Sequence, residues 1–171
     1  GIEPWEKDYL QSELKGFDLI FFEEEINSKN IKKIEDITIL SPFVYSEVNK
    51  EIIGSLKNLK YITTRSTGFE HIDLEASKKK GILVSNVPTY GENTVAEHTF
   101  ALILNLSRKV QVASEQTRHG NFSTKGLTGW DLFGKTIGIV GAGRIGYHVA
   151  RIARGFGMNV LVSDPTPKAE W

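Results

Sequence analysis

Four residues in the last third of the sequence have the types and spacing of a dinucleotide-binding site. Gly141, Gly143 and Gly146 form a G-x-G-x-x-G pattern, and Asp164 follows 18 residues after the last glycine. Such glycines allow a tight turn, close approach of a pyrophosphate to the backbone and close packing of a helix on a strand. An acid at about this distance accepts hydrogen bonds from ribose hydroxyls. The pattern predicts NAD as cofactor, and Asp164 favours NAD over NADP because it would repel a 2′-phosphate.

The sequence around these glycines predicts the elements that position them. The β-branched run TIGIV precedes the first glycine, the helical run IGYHVARIARGF follows, and the run NVLVS leads to Asp164. Strand, turn, helix and strand in this order predict the first βαβ unit of a Rossmann domain, whose helix N-terminus faces the phosphates. The alternative is a tight turn in an α/β domain that binds nothing.

A second candidate site lies at Ser66, Thr67 and Gly68, directly after a predicted strand. Doubly wound sheets hold ligands at this position, and successive backbone N–H groups there suit a carboxylate or another anion. The alternative is an ordinary loop before a helix.

Strand and helix patterns alternate over the first half of the chain. Strands are predicted at 17–22, 37–40, 59–64 and 82–86. Strands separated by helices predict a parallel, doubly wound α/β sheet. Such a unit ordinarily opens with a strand, and a helical pattern begins here almost at once. We therefore expect the first strand of this domain to be missing.

Helix signals give more detailed predictions for the same region. In the helical segment EPWEKDYLQSEL, Trp5, Tyr9 and Leu14 are predicted to point inward. Ser46 is predicted to cap a helix with an apolar face, formed by Val48, Ile52 and Leu56. Asp73 is predicted to cap the next helix, which Gly81 would end in a left-handed conformation.

A longer helical pattern follows Pro88. Thr94 and Glu97 match a capping box, and Glu97 with His98 is interpreted as a buried structural pair. The apolar side of this helix carries Val95, Leu102, Ile103, Leu106, Val110 and Ala113. The predicted division is an N-terminal part of a substrate domain (1–87), a bridging helix (88–118) and a truncated Rossmann domain (119–171).

Composition excludes several classes of function. The 21 basic and 21 acidic residues balance, so no overall charge favours nucleic acid or an anionic membrane surface. Cysteine is absent, which excludes disulfides and thiolate chemistry and favours a cytoplasmic protein. No apolar run approaches the ~20 residues of a membrane helix, no signal peptide is predicted, and the histidines lack metal-ligand spacing.

The ordered motifs RSTGFEHID, GILVSNVPTYGENTVAEHT and GLTGWDLFGKTIGIVGAGRIG resemble the D-isomer-specific 2-hydroxyacid dehydrogenases over nearly the whole chain. In that family a flavodoxin-like substrate domain is built from both chain ends, and the NAD-binding domain is inserted between them. The resemblance implies hydride transfer between NAD(H) and a 2-oxo or D-2-hydroxy acid.

The resemblance also implies roles for individual residues. Substrate binding is implied for Thr67 and Gly68, whose amides would hold the carboxylate, and for Tyr90. Cofactor binding is implied for Thr94 near the nicotinamide ribose, for Gly141, Gly143, Arg144, Ile145 and Gly146 at the pyrophosphate, and for Asp164 at the adenosine ribose.

One departure from the family pattern concerns catalysis. The family's catalytic Arg, Glu and His follow the second strand of the cofactor domain, and we expect them beyond Trp171. The chain is therefore expected to be truncated inside the NAD-binding domain and catalytically inactive by itself. The family's long helix and following arm build a dimer interface, so a homodimer is expected.

Two other functions are compatible with the resemblance. The same fold serves some relatives as a non-catalytic, NAD-sensing, corepressor-like module. Other relatives act on phosphoglycerate, formate or phosphite. A phosphorylated substrate would require additional cations near Thr67, where Arg65 is the cation close in sequence.

Overall fold

The structure, a computed structural model, describes residues 2–166. These residues divide into two compact units, with the boundary between Thr89 and Tyr90. Each unit combines helices with a parallel sheet, so the chain is of the α/β class. The last residues of the predicted Rossmann segment, 167–171, lie outside the described part. Within that part, no helix has both the length and the apolar composition needed to cross a bilayer.

The first unit is built on a parallel sheet with strand order β1-β2-β3. Its strands are β1 (Ile39–Leu40), β2 (Tyr61–Thr63) and β3 (Leu83–Ser85), and its helices are α1 (Pro4–Glu13), a 3-10 helix (Ile31–Ile34), α2 (Lys50–Ser55) and α3 (Leu74–Lys79). On the central strand, Ile62 lies opposite Leu40 on one side and Val84 on the other. Ile62 is fully buried, and the core around it includes Val48 and Ile53.

The second unit contains two helices followed by a βαβ unit. Its elements are α4 (Glu92–Arg108), α5 (Val110–Arg118), β4 (Thr136–Val140), α6 (Arg144–Gly155) and β5 (Asn159–Ser163). β4 and β5 pair in parallel, with Ile139 opposite Val162. Phe100 of α4 stacks on Phe156 with the ring centroids 5.4 Å apart. Its core joins α4, β4 and α6 through Ala96, Phe100, Ile139, Val149 and Ala153.

The first of the four predicted strands, 17–22, is not a strand in the structure. Phe17 N–H bonds back to Leu14 O at 3.1 Å, which ends α1 in a turn. No backbone group among residues 2–166 pairs with 18–22, and a strand needs such a ladder to satisfy its polar groups. The prediction of this strand is therefore wrong, although the other three predicted strands are present in shortened form as β1, β2 and β3.

The inward-facing residues predicted for α1 are also wrong. Trp5 and Tyr9 are 71% and 61% exposed, and Leu14 is partly exposed. The neighbouring face of the helix turns inward instead, because Glu6 on that face forms an ion pair with Arg65. The position of the helix itself agrees with the sequence pattern, with Pro4 in its first turn and a capping box between Glu3 and Glu6.

The cap predictions for α2 and α3 have different outcomes. Asp73 caps α3 as predicted, since its Oδ1 accepts from Ala76 N–H at 2.8 Å, and Gly81 has a φ of +69°. Ser46 does not cap α2. Asn49 does so, because its Oδ1 accepts from the N–H groups of Glu51 and Ile52, each at 3.1 Å. The Ser46 hydroxyl instead accepts from Ile26 N–H.

The long helical pattern of the second unit is divided into α4 and α5. Lys109 has a φ of +55° and its N–H bonds to Asn105 O, which ends α4. The Asn105 side chain then accepts from Gln111 N–H at 2.8 Å and so caps α5. The predicted capping box at Thr94 and Glu97 is wrong, because α4 already begins at Glu92 after Gly91.

The predicted buried pair on α4 is also wrong. Glu97 and His98 are exposed and form no buried pair. Ala96, Phe100 and Ser107 are buried instead, whereas Leu102 and Leu106 lie on an exposed apolar face. The helix therefore has two apolar faces, of which one packs on α6 and β4.

Candidate functional site

The glycine turn of the second unit connects β4 to α6, and its glycines have distinct geometric roles. Gly141 has a φ of +106°, which side chains rarely adopt, and its N–H bonds to Ser163 O at 2.8 Å. A Cβ on Gly146 would overlap the Gly141 carbonyl oxygen and would lie 3.3 Å from Ile139 Cγ2. A Cβ on Gly143 would meet nothing within 4 Å. The turn is thus closed towards the sheet and open at Gly143.

The N-terminus of α6 offers backbone donors beside that opening. The N–H groups of Ile145 and Gly146 donate to no group among residues 2–166. Tyr147 is the residue whose N–H begins the helical ladder, at 3.0 Å from Gly143 O. Unbonded N–H groups and the helix dipole favour an anion at this position. This cradle fits a pyrophosphate, because it combines open space at a glycine with donors.

Asp164 lies directly after β5 and is hydrogen bonded to the glycine turn. Its Oδ2 accepts from Ala142 N–H at 2.6 Å, and its Oδ1 accepts from Thr166 N–H at 2.7 Å. Ala142 is buried between the first two glycines of the motif. The carboxylate and the turn therefore form one hydrogen-bonded unit, a link that the sequence spacing did not reveal.

The packing of α4 on α6 brings Arg144 to the first turn of α4, which also carries Thr94. The Arg144 guanidinium lies 3.5 Å from the Glu92 carboxylate in the first turn of α4. Thr94 is exposed in that same turn. Glu92 was missed by the sequence reasoning, since no local pattern connects two residues so far apart along the chain. The starts of both helices thus contribute to one edge of the second unit.

The Ser66–Gly68 loop of the first unit follows β2 and presents backbone N–H groups. The Ser66 carbonyl accepts from Val87 N–H at 3.0 Å, and the Thr67 carbonyl accepts from Asn86 Nδ2 at 2.8 Å. The N–H groups of Thr67 and Gly68 donate to no group in the described part of the chain. The loop therefore has bonded carbonyls and available amides, as a carboxylate site requires.

Buried hydroxyls lie behind this loop. The Ser66 hydroxyl donates to Gly68 O at 2.7 Å and lies 2.6 Å from the Thr64 hydroxyl, which in turn lies 3.1 Å from His71 Nε2. Burial lowers the pKa of His71 below its ordinary value, and the neighbouring Glu70 carboxylate opposes this effect. The sequence reasoning missed this group of side chains, although their close spacing along the chain is a usable signal.

The two remaining candidates near the loops are Arg65 and Tyr90. Arg65 Nη1 lies 2.7 Å from Glu6 Oε1, and its guanidinium lies over the Phe43 ring at 5.6 Å. Tyr90 is largely exposed and belongs to the second unit, ahead of α4. Within residues 2–166, no group of three or more His, Asp or Glu side chains is arranged as metal ligands.

Fold and site together define an α/β protein with a dinucleotide-type glycine turn in one unit and, in the other, a loop whose backbone amides are available to a ligand. The family model "D-isomer specific 2-hydroxyacid dehydrogenase, catalytic domain" matches residues 1–147. The chain belongs to this family.

Two relatives illustrate the similarity. The D-lactate dehydrogenase of Escherichia coli (strain K12) is 39% identical over 171 residues, which cover 98% of this chain and 52% of that protein. The structure of D-lactate dehydrogenase from Aquifex aeolicus complexed with NAD and lactic acid has a TM-score of 0.90 and 35% identity, covering 99% of this chain and 51% of that one. The chain thus spans about half the length of the relatives it matches.

Proposed function

We propose that this chain is the N-terminal part of an NAD-dependent D-2-hydroxyacid dehydrogenase, which interconverts a 2-oxo acid and its D-2-hydroxy acid. The observation that carries the proposal is the glycine turn hydrogen bonded to Asp164, in a chain of this family. The relative solved with NAD and lactic acid supports both cofactor and substrate class.

The proposed cofactor contacts follow from the geometry of the second unit. The amides of Arg144, Ile145 and Gly146 would hold the pyrophosphate, over the open backbone of Gly141 and Gly143. Asp164 would accept from the adenosine ribose, and exposed Thr94 would lie near the nicotinamide ribose. NAD, when bound, supplies the acceptor or donor of the hydride. These residues bind and orient it.

The proposed substrate contacts lie in the first unit and at Tyr90. The N–H groups of Thr67 and Gly68 would hold the carboxylate, and Tyr90 would border the substrate. Arg65 is paired with Glu6 at 2.7 Å, which favours an unphosphorylated acid over phosphoglycerate. The D-lactate dehydrogenases among the relatives support a small 2-oxo acid.

We propose that the 171-residue chain is inactive by itself. No motif of this chain matches the family's catalytic Arg, Glu and His. His71, near the Ser66–Gly68 loop, is hydrogen bonded to the buried Thr64 hydroxyl. Without the acid/base, hydride transfer lacks its proton relay, and without the Arg the substrate carboxylate is held by the loop amides alone.

The proposed assembly is a homodimer in the cytoplasm. Leu102, Leu106 and Val110 form an exposed apolar row along α4 and α5, which supports burial in an interface. The absence of cysteine supports the cytoplasmic location. Light scattering on the purified chain tests the assembly, and a clean monomer contradicts it.

The activity is tested on the full-length protein that contains this chain. NADH oxidation is followed with pyruvate, glyoxylate, 2-oxoglutarate and hydroxypyruvate, and the chain alone is the matched control. We expect turnover by the full-length protein with at least one acid and none by the chain. NAD binding without turnover on the whole panel would instead favour an NAD-sensing binding protein, and turnover by the chain alone would contradict its proposed inactivity.

A further inference from the structure

The hydroxyl groups of Thr64 and Ser66 are buried behind the Ser66–Gly68 loop and belong to a continuous series of hydrogen bonds. Thr64 is 0% and Ser66 is 3% exposed. This series runs from His71 Nε2 to Thr64 Oγ1 (3.1 Å), to Ser66 Oγ (2.6 Å) and to the Gly68 carbonyl (2.7 Å). Buried hydroxyls need partners, so the direction of each bond is constrained by the number of protons available.

The number of hydroxyl protons fixes the donor and the acceptor of each bond in this series. The Gly68 carbonyl can only accept, so the single Ser66 hydroxyl proton is donated there. Ser66 Oγ then accepts from Thr64, whose single proton goes to this 2.6 Å contact rather than to Pro42 O at 3.5 Å. Thr64 Oγ1 must therefore accept from His71, which requires a proton on Nε2.

The last hydrogen bond of this series, from the Ser66 hydroxyl to the Gly68 carbonyl, fixes one peptide plane of the loop. In a trans peptide the C=O and N–H groups point in opposite directions. The carbonyls of Ser66 and Thr67 are held by Val87 and Asn86, and the Gly68 carbonyl is held by the Ser66 hydroxyl. The N–H groups of Thr67, Gly68 and Phe69 are therefore each directed away from a bonded carbonyl.

Phe69 extends the donor set of the loop. Its N–H donates to no group among residues 2–166, and it shares its peptide plane with the Gly68 carbonyl that Ser66 holds. Three successive unbonded N–H groups are a donor set of the kind that holds anions.

We propose that His71, Thr64 and Ser66 form a one-directional relay that positions Phe69 N–H as a third donor to the substrate carboxylate, beside Thr67 and Gly68. The identity of the anion rests on the proposed function, whereas the relay rests on the distances alone. These three side chains are positioning residues, since they act through the Gly68 peptide and contact no substrate.

The direction of the relay is tested by NMR on the chain with ¹⁵N-labelled histidine. We expect the proton of neutral His71 on Nε2, and titration at Nδ1 only. The opposite tautomer, with the proton on Nδ1 and Nε2 accepting from Thr64, would overturn the relay. This measurement is independent of any ligand.

The positioning role is tested by titrating pyruvate into the ¹⁵N-labelled chain and following the amide signals of Thr67, Gly68 and Phe69. The loss of one neutral hydrogen bond costs about 1 kcal/mol, so Ser66→Ala should weaken pyruvate binding about fivefold. Thr64→Val should act in the same direction and Thr64→Ser should restore binding. Ser55→Ala, which removes an exposed hydroxyl on α2, is the matched control and should change nothing.

The outcomes separate this inference from the proposed function. Amides that respond to pyruvate equally in the wild-type chain and in Ser66→Ala would overturn the relay alone. Amides that respond to no carboxylate in the wild-type chain would remove the carboxylate role of the loop, and the positioning role with it, even if His71 has the expected tautomer. A response of Thr67 and Gly68 without Phe69 would overturn the third donor.

Discussion

The Asp164 carboxylate accepts a hydrogen bond of 2.6 Å from the backbone N–H of Ala142. This bond links the end of β5 to the turn between the first two motif glycines, beside the 2.8 Å bond from Gly141 N–H to Ser163 O. The acid proposed to bind the adenosine ribose is therefore also part of the structure of the turn. Its substitution should affect stability as well as cofactor binding.

Asp164→Ala should destabilise the second unit more than Asp164→Asn. Alanine leaves the buried Ala142 N–H unpaired, which costs about 1–3 kcal/mol, whereas the asparagine side-chain oxygen can still accept. Urea unfolding of the chain measures the difference. Asp131→Ala, at an exposed ion pair with Arg108, is the control and should change the unfolding free energy by about 1 kcal/mol or less. Equal losses for both Asp164 variants would contradict the structural role.

Gly146→Ala should destabilise the chain through a collision with backbone. The new Cβ would overlap the Gly141 carbonyl oxygen, which cannot move without opening the turn. Overpacking of this kind costs about 1–3 kcal/mol. Gly155→Ala is the matched control on the same helix, since a Cβ there meets nothing within 4 Å. Thermal unfolding should show a lower midpoint for Gly146→Ala only, and a similar loss in both variants would contradict the assigned overlap.

Asn49→Ala should destabilise the first unit by about 1 kcal/mol, because it removes the acceptor for two N–H groups at the start of α2. Asn58→Ala is the control, since Asn58 is exposed and donates only a 3.4 Å bond to Asp36. Chemical denaturation measures both. An unchanged midpoint for Asn49→Ala would indicate that another group caps this helix.

His71 should make the chain less stable at acidic pH. Burial lowers its folded-state pKa below the ordinary value of 6.5, so as the pH falls through 6.5 the unfolded state binds the proton first. The free energy of unfolding should therefore decrease from pH 6.5 down to the folded-state pKa and show no contribution from His71 above this range. Denaturation at a series of pH values measures the slope of the free energy of unfolding against pH.

Two variants identify the source of that slope. His71→Gln should remove the His71 contribution. Glu70→Gln should enlarge it, because the Glu70 carboxylate raises the pKa of His71 against the effect of burial. His119→Gln, at an exposed site, is the matched control. A slope unaffected by His71→Gln would assign the pH dependence to other groups.

Local signals in the sequence predicted the features that depend on neighbouring residues. The Asp73 cap, the left-handed Gly81 and the order of strand, turn and helix around Gly141 follow from short-range geometry, and all are present. The same short patterns failed where a distant partner decides the outcome. Residues 17–22 found no strand partner in the described chain, and the Arg65 ion pair turned a different face of α1 inward.

The sequence by itself thus determined the family, the α/β class and the glycine turn, because these depend on residue types at fixed spacing along the chain. The tertiary structure decided the contacts of the site. The bond from Ala142 to Asp164 requires the parallel pairing of β4 with β5. The direction of the relay from His71 to Gly68 depends on distances between buried atoms and on the number of protons they share, which no sequence pattern specifies.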